Sequence, residues 1–156
     1  MKTPKTMQMQ EFLLNLISTM QSTGEDRINK MMNYSFVDCS HDPLSLTIAL
    51  PVTYWMMNPA KIMHGGLVAT ALDIALGCMS LYVSEDHKAA TAQLSVNFIR
   101  PVSEGDRLLL TSFCHKPGRT MAHITGHAIS ENTGKTVATA SGVFSTMVSF
   151  NYLTPR

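Results

Sequence analysis

The stretch of the chain that decides its fold runs from Asn58 to Val83 and reads NPAKIMHGGLVATALDIALGCMSLYV. Between Gly66 and Val83, Asp73 is the one charged residue among apolar and small side chains. Because a helix that is apolar nearly all round packs inside a protein, this segment is predicted to be a buried core helix. An ionised carboxylate inside such a helix costs free energy unless it has a partner or a function. Asp73 is therefore the first candidate for a functional residue.

The composition is that of an ordinary globular protein. The chain has 156 residues, of which 45% are hydrophobic and 15% charged, and this length predicts one domain with a substantial core. The formal net charge of +1 gives no general electrostatic reason to bind nucleic acid or an anionic membrane. We expect neither as a partner.

Cysteine usage and the first residues predict a soluble, cytoplasmic protein. Cys39, Cys78 and Cys114 are odd in number and lack C-x-x-C spacing, which favours free thiols in a reducing compartment. The apolar segment near the start is interrupted by Glu11 and Asn15, so no secretory signal is predicted. The Gly66–Val83 run is just long enough for a membrane span, but its glycines and its central carboxylate favour a core helix.

Hydrophobic periodicity predicts an α+β fold. Apolar residues at helical spacing predict an amphipathic helix from Gln8 to Gln21, closed by Gly24. The turn HDP separates two short strands, and the turns VSEG, PGR and ENTG separate four more after the long helix. Tandem hairpins of this kind predict an antiparallel sheet with the helix packed on one face. The predicted strands are 34–40, 44–51, 89–101, 106–116, 120–130 and 135–150.

The start of the long helix has the chemistry of an oxyanion site. His64, Gly65 and Gly66 precede or open the helix, where backbone N–H groups lack intrahelical partners. Glycines let a ligand approach those groups closely, and the helix dipole favours negative charge there. Asp73 follows two turns later, among small neighbours on its helical face.

The spacing of these groups places a constraint on how they are used. Gly65 and Asp73 are eight residues apart, which corresponds to about 12 Å along a helix axis. One reacting carbonyl cannot contact both groups of the same chain. If both act on it, one of them must come from another copy across a two-fold interface.

Simpler interpretations remain open for both features. H-G-G alone is often a tight turn, and a buried Asp is often a structural carboxylate bonded to backbone amides or an Arg. His123 and His127 would share a strand face, but no third ligand is placed with them, so no metal is expected. Cys78 has no visible base on its helical stripe.

Two motifs together resemble a known family. NPAKIMHGGLVATALD, followed by TAQLSVNFIRPVSEGD, resembles the hotdog-fold acyl-CoA thioesterases of the phenylacetate-pathway and thioesterase superfamily member 2 type. The resemblance extends from about Tyr34 to Phe150. It implies one hotdog domain over residues 1–156, with a helical extension at 1–30 and the core at 31–150. It also implies an antiparallel sheet wrapped around the central helix, and subunits assembled as homodimers and often homotetramers.

The resemblance also implies roles for individual residues. Asp73 would be the catalytic carboxylate, acting as general base or nucleophile, and the Gly65 amide would polarise the thioester carbonyl. Asn58 and His64 would shape the site opposite the Asp73 of the other subunit, and Thr91 would position the water. No cofactor is expected beyond the coenzyme A of the substrate. The resemblance does not fix the contacts to coenzyme A. The expected substrate-binding residues are Gly66, Met63, Arg100 and Arg119, and the candidate partners of the phosphates of coenzyme A are Arg100 and Arg119, with Arg107 and Lys116.

Two observations bear on the choice of reaction. Gln93 stands where many family members carry an acidic residue, so any role of that acid is not carried over. The thiolate that leaves a thioester has a conjugate acid with a pKa of about 8.5, so it needs no general acid. One carboxylate and one oxyanion site are therefore enough for thioester hydrolysis. The predicted function is hydrolysis of a small or medium acyl-CoA, aromatic acyl groups included. The alternatives are a hotdog hydratase or dehydratase, and a non-catalytic acyl-CoA-binding protein.

Overall fold

Six antiparallel strands form one sheet in the computed structural model, which describes residues 2–22 and 27–148. Their order across the sheet is β1-β2-β4-β5-β6-β3, so β1 and β3 are the two edges. Every neighbouring pair is antiparallel. The strands are β1 (Ser35–His41), β2 (Leu44–Pro51), β3 (Ala90–Phe98), β4 (Arg107–Lys116), β5 (Met121–Ser130) and β6 (Thr136–Ser145).

The long apolar segment is a helix packed on one face of this sheet, as predicted. This helix, α3 (Gly65–Val83), contacts all the strands from β2 to β6. Its Leu72 and Leu76 are fully buried. Of the helices in the described residues, α3 alone has the length and hydropathy of a membrane span, and 56% of its most apolar window is buried in the protein. The α+β class is confirmed.

Close contact between α3 and the sheet depends on a glycine of β5. A Cβ atom on Gly126 would lie 2.7 Å from Leu76 Cδ1 and 2.8 Å from the carbonyl oxygen of Thr111. Both distances are too short for a real side chain. The missing side chain therefore lets Leu76 approach the sheet backbone and fixes the height of the helix above it.

The prediction that β3 and β4 form a hairpin is wrong. β3 pairs with β6 at one edge of the sheet, whereas β4 lies between β2 and β5. The VSEG turn is bonded to the end of β2 instead: the Gly105 N–H donates to the Val52 carbonyl, and the Val52 N–H donates to the Asp106 carbonyl, both at 2.9 Å. The chain therefore crosses from one end of the sheet to its middle, and only β4, β5 and β6 are joined by tandem hairpins.

The N-terminal helix is longer than its periodicity predicted. It is α1 (Pro4–Ser22), because the Thr3 hydroxyl accepts a hydrogen bond from the Thr6 N–H at 3.2 Å and caps the helix ahead of Pro4. Gly24 lies outside the described residues. A short helix that was not predicted, α2 (Ile28–Met31), follows, and a 3₁₀ turn, Tyr54–Met56, lies in the predicted loop. β6 ends earlier than predicted, at Ser145.

Candidate active site

The first two amides of α3 have no acceptor within the described part of the chain. His64 is the N-cap residue, and its carbonyl accepts hydrogen bonds from the N–H groups of Leu67 at 2.9 Å and Val68 at 3.1 Å. Across residues 2–22 and 27–148, no group accepts a hydrogen bond from the N–H of Gly65 or Gly66. These N–H groups, at the positive end of the helix dipole, are available to an oxyanion.

The two glycines leave space above these amides. A Cβ atom on Gly66 would have nothing within 4 Å, and one on Gly65 would meet the Phe98 ring at 3.4 Å. Neither glycine has a positive φ, so no backbone conformation demands glycine here. The sequence prediction that these glycines give a ligand access to the helix terminus fits this geometry.

A cleft of about 480 Å³ lies beside Gly65. Asn58 and Met63 line it, and so does Arg100, whose guanidinium donates a 2.6 Å hydrogen bond to the Thr136 carbonyl. The Asn58 Oδ1 accepts hydrogen bonds from the N–H groups of Ala60 at 2.9 Å and Ile62 at 3.3 Å. Asn58 therefore holds the loop before α3 in shape. We call Gly65, Gly66 and Asn58 the amide half-site.

His64 contributes its backbone rather than its ring to this arrangement. Its N–H donates to the Met56 carbonyl at 2.9 Å, which ties the start of α3 to the 3₁₀ turn. Its side chain is exposed and makes no hydrogen bond with the described residues. The site role that the resemblance implied for His64 stays a prediction.

Asp73 is half-buried and bonded to a single side chain. The Thr91 hydroxyl donates a hydrogen bond to Asp73 Oδ1 at 2.8 Å. Within residues 2–22 and 27–148, no other group donates to this carboxylate and no cation pairs with it. This geometry disfavours a structural carboxylate satisfied by backbone amides or an Arg, because one oxygen has no partner in the part of the chain that the structure describes. We call Asp73 and Thr91 the carboxylate half-site.

A bulge in β3 directs Thr91 toward Asp73. Thr91 pairs with Phe144 and Gln93 pairs with Val143, so Ala92 is the extra residue. Leu94 pairs with Gly142, where a Cβ would lie 3.2 Å from Leu76 of α3, so this face of the sheet is the one under the helix. Strict alternation from Leu94 would put Thr91 on the opposite face. The extra residue reverses the alternation and returns Thr91 to the helix side.

The carboxylate half-site opens onto its own cavity of about 240 Å³. Thr70 and Ser80 also line this cavity, but their hydroxyls donate to helix carbonyls, those of Gly66 at 2.9 Å and Gly77 at 2.7 Å. None of the residues lining it belongs to the cleft beside Gly65. The two half-sites of one chain therefore face different cavities, in accord with the eight-residue spacing.

Other candidate residues are not brought to these cavities. Arg119 lies in a groove with Glu85 and Asp86, beyond the C-terminal end of α3 and away from Arg100. Gln93 is exposed and lines neither half-site cavity. No group of three His, Cys, Asp or Glu side chains among the described residues is placed to hold a metal ion.

Cys78 lines the Asp73 cavity but is not an activated thiol. Burial raises its pKa to about 12, so the thiol is protonated at neutral pH. Burial likewise raises the pKa of Cys39 and Cys114, and all three thiols are free. This supports the prediction that Cys78 is not a nucleophile.

Sequence reasoning missed three residues of the Asp73 cavity. Met20 of α1 and Ile28 and Asn29 of α2 line it, although the N-terminal helix had been predicted only as an addition to the core. The amphipathic pattern of α1 indicated that the helix packs against something. It carried no signal for which residues would face the site.

A comparison with protein-family models shows the family to which this chain belongs. Residues 60–137, half of the chain, match the family model of the thioesterase superfamily. The chain belongs to the thioesterase superfamily. Mouse acyl-coenzyme A thioesterase 13 is 26% identical over 97 residues, which are 62% of this chain and 69% of that protein. An esterase-like protein of Caenorhabditis elegans is 32% identical over 77 residues, so the match spans 49% of this chain and only 46% of that relative.

Solved structures share the architecture of this thioesterase-superfamily chain. The smu.793 protein of Streptococcus mutans, crystallised with acetyl CoA, is 25% identical, with a TM-score of 0.67 over 78% of this chain and 92% of that one. Mouse thioesterase superfamily member 2 is 18% identical, with a TM-score of 0.74 over 92% of this chain and 98% of that one. The predicted hotdog fold and the family resemblance are confirmed.

Proposed function

We propose that this chain is an acyl-CoA thioesterase that converts a small or medium acyl thioester, aromatic ones included, to the free acid and coenzyme A. One observation carries the proposal: among the described residues only the Thr91 hydroxyl holds the Asp73 carboxylate, which faces a cavity. Membership of the thioesterase superfamily supports it, as do the name of the mouse relative and the acetyl CoA bound to the streptococcal protein.

The chemistry needs only the groups that the two half-sites supply. The thioester carbonyl oxygen accepts a hydrogen bond from the Gly65 N–H, which stabilises negative charge on that oxygen as the carbonyl carbon is attacked. Asp73 either removes a proton from an attacking water or attacks the carbon itself to give an anhydride that water then cleaves. The C–S bond breaks and coenzyme A leaves as a thiolate, which needs no general acid. One carboxyl oxygen of the released acid comes from the water molecule.

We propose that each site forms between two copies of the chain. The Gly65 amide and the Asp73 carboxylate face separate cavities, so a second copy must bring its amide half-site to the first copy's carboxylate. β3 is a sheet edge, and pairing of two such edges would join two sheets in a homodimer. Further pairing into a homotetramer is the expectation from the family resemblance.

Arg100 is the proposed partner of the phosphates of coenzyme A. It lines the cleft of the amide half-site, where its charge lies beside the Gly65 amide that would hold the carbonyl. Coenzyme A would then extend along this cleft while the acyl group enters the Asp73 cavity. Arg119 is the weaker candidate, because two carboxylates, Glu85 and Asp86, line the same groove and would repel a phosphate. The three free, buried thiols support a cytoplasmic location.

The geometry favours thioester hydrolysis over the alternatives. A hydratase or dehydratase works with a second acid or base near its carboxylate, and within one chain the described lining of the Asp73 cavity contains no His and no second carboxylate. A non-catalytic binding protein would gain nothing from a carboxylate oxygen left without a partner in an apolar helix.

Replacement of Asp73 by Asn tests the proposal. We expect the wild-type chain to hydrolyse members of a panel of acetyl, hexanoyl, phenylacetyl and hydroxybenzoyl CoA. Asp73→Asn should lower kcat by roughly a thousandfold, because it removes the base or nucleophile but keeps the shape. The matched control is Asp86→Asn, an exposed carboxylate beyond the end of the same helix, which should leave kcat unchanged. Wild-type turnover by Asp73→Asn, with folding confirmed by circular dichroism, would refute the mechanism.

A further inference from the structure

The N-terminal part of the chain forms one wall of the Asp73 cavity. Met20 comes from α1, and Ile28 and Asn29 come from α2. All three lie outside residues 60–137, the segment that matches the family model. The opposite wall is the small-residue face of α3 that carries Asp73 and Gly77. A segment beyond the family-matched region therefore faces the proposed reacting carboxylate.

Met20 is held in place by its own contact with Tyr34 and by the contacts of neighbouring residues of α1. The buried Tyr34 hydroxyl donates a hydrogen bond to the Met20 sulfur at 3.8 Å, and the side chain of Gln21 donates to the Tyr34 carbonyl. The face of α1 leading to Met20 is anchored in the core through Leu13, Leu16 and Ile17, which are buried. The part of the wall that α1 supplies is thus packed into the core rather than a loose arm.

The middle of α1 is fixed against the C-terminal end of α3. The Phe12 ring lies 5.6 Å from the Tyr82 ring and 4.3 Å from the His87 ring, measured between centroids. Because α1 is anchored at its middle and along the face that leads to Met20, the distance between Met20 and α3 cannot change without disturbing this packing. That distance sets one dimension of the cavity.

The cavity has the size and lining of a site for a compact apolar group. Its volume is about 240 Å³, whereas an apolar cavity of about 150 Å³ is enough to bind benzene. Apart from the polar groups around Asp73, its lining is mostly apolar and includes Ile74, Leu81 and Phe144. One aromatic ring with its linking carbons, or a short aliphatic chain, fills such a space.

We infer that Met20 and Ile28 are specificity-determining residues, which limit the acyl group to about the size of a single ring. The inference rests on the proposed thioesterase function and extends it, because it assigns the acyl end of the substrate to a wall built by the N-terminal helices. Long acyl chains are excluded because Met20 and Ile28 occupy the space that the chain would need.

Enlarging the cavity by truncating the side chains of its wall tests this inference. Met20→Ala and Ile28→Ala should each raise the ratio of kcat/KM for dodecanoyl CoA to that for phenylacetyl CoA by about tenfold, since a few methylene groups in an apolar pocket discriminate on that scale. Met31→Ala is the matched control, because Met31 lies on α2 with Ile28 but is 43% exposed and does not line the cavity. Its ratio should equal that of the wild type.

A filling variant keeps the test decisive if Met20→Ala fails to fold. Ile28 is 41% exposed, so Ile28→Trp should fold, and it should lower kcat/KM for phenylacetyl CoA about tenfold while sparing acetyl CoA. Ratios that stay within about twofold of wild type in the Ile28→Ala and Ile28→Trp variants would overturn the inference.

Failure of the proposed function gives a different result. A wild-type chain that hydrolyses no acyl-CoA would refute the thioesterase activity but not the wall. In that case calorimetric binding of phenylacetate and dodecanoate to the same variants tests the wall by itself. A gain in dodecanoate affinity in Ile28→Ala supports the wall, and unchanged affinities overturn it.

Discussion

The carboxylate half-site and the amide half-site are built from different parts of the polypeptide. The first depends on two side chains, Asp73 and Thr91, joined by a 2.8 Å hydrogen bond and enclosed by the N-terminal helices. The second depends on main-chain N–H groups at Gly65 and Gly66, on a cleft bordered by the exposed Phe98 ring. Side-chain chemistry is destroyed by an isosteric substitution. A backbone donor survives every substitution except one that removes the N–H itself.

Gly65→Pro offers the sharpest way to break the amide half-site. Gly65 is the first residue of α3, where proline is well tolerated, and the His64 ψ of 131° suits a residue that precedes proline. The variant should fold but lose the oxyanion donor, and kcat should fall about 100-fold to 1,000-fold. Steady-state kinetics and circular dichroism measure the two effects.

Gly65→Ala is the matched control for the proline variant. It adds the same Cβ atom against the Phe98 ring but keeps the N–H, so it should retain most of the activity. Equal losses in the two variants would mean that crowding, rather than the lost donor, explains the effect. The role assigned to the Gly65 amide would then be wrong.

Mixing two inactive variants tests whether the half-sites come from different copies. In a heterodimer of Asp73→Asn and Gly65→Pro chains, one shared site carries both substitutions and the other carries neither. Random mixing should therefore restore about a quarter of the wild-type activity and purified heterodimers about half, far above either variant alone. Co-expression with two affinity tags, purification of heterodimers and a thioesterase assay measure the recovery. Purified heterodimers without activity would show that the sites are not shared in this way.

Thr91→Val should weaken the carboxylate half-site without removing it. The substitution deletes the hydroxyl that holds Asp73 Oδ1 and keeps the shape of the side chain. Because Asp73 is only half-buried, this hydrogen bond contributes modestly, and kcat should fall by about tenfold. Thr91→Ser keeps the donor and should stay near wild type. If Thr91→Val and Thr91→Ser have equal kcat values, the hydroxyl has no part in orienting Asp73.

Cys78→Ala should have the smallest effect, although Cys78 lines the same cavity as Asp73. Because burial raises the thiol pKa to about 12, almost no thiolate exists between about pH 6 and pH 9. The variant should keep kcat for acetyl CoA within about twofold and lose about 1 kcal/mol of stability from the small cavity it creates. Kinetics across that pH range and thermal unfolding measure these outcomes. Loss of turnover in a folded Cys78→Ala protein would implicate the thiol in catalysis.

Local patterns in the sequence predicted the centre of the molecule well. The apolar run predicted α3. The eight-residue gap predicted that Gly65 and Asp73 of the same chain lie too far apart to contact one carbonyl. Both depend on positions within one helix, where spacing fixes geometry. The hydrogen bond from Thr91 to Asp73 did not follow from periodicity, because the bulge at Ala92 reverses the alternation of β3. Thr91 came to notice only through the family resemblance.

The parts that were missed depend on contacts between distant segments. The pairing of β3 with β6 is decided by where the chain leaves α3, and the VSEG turn looks the same whether it closes a hairpin or joins β2. The approach of Met20 to the Asp73 cavity requires α1 to pack across the sheet edge and α3. Neither relation leaves a periodic signal in the amino-acid order.

The bulge at Ala92 makes the length of a strand part of the chemistry. Deleting this one alanine would turn Thr91 toward the outer face, since residues before the deletion would exchange faces while Leu94 and Val96 stayed in the core. Asp73 would then lose the hydrogen bond from Thr91 although every polar residue of the site was still present. A change in the number of residues in β3 can therefore break the Thr91–Asp73 hydrogen bond without altering either side chain. Substitution scans of this chain need a companion series of single-residue deletions to detect this effect.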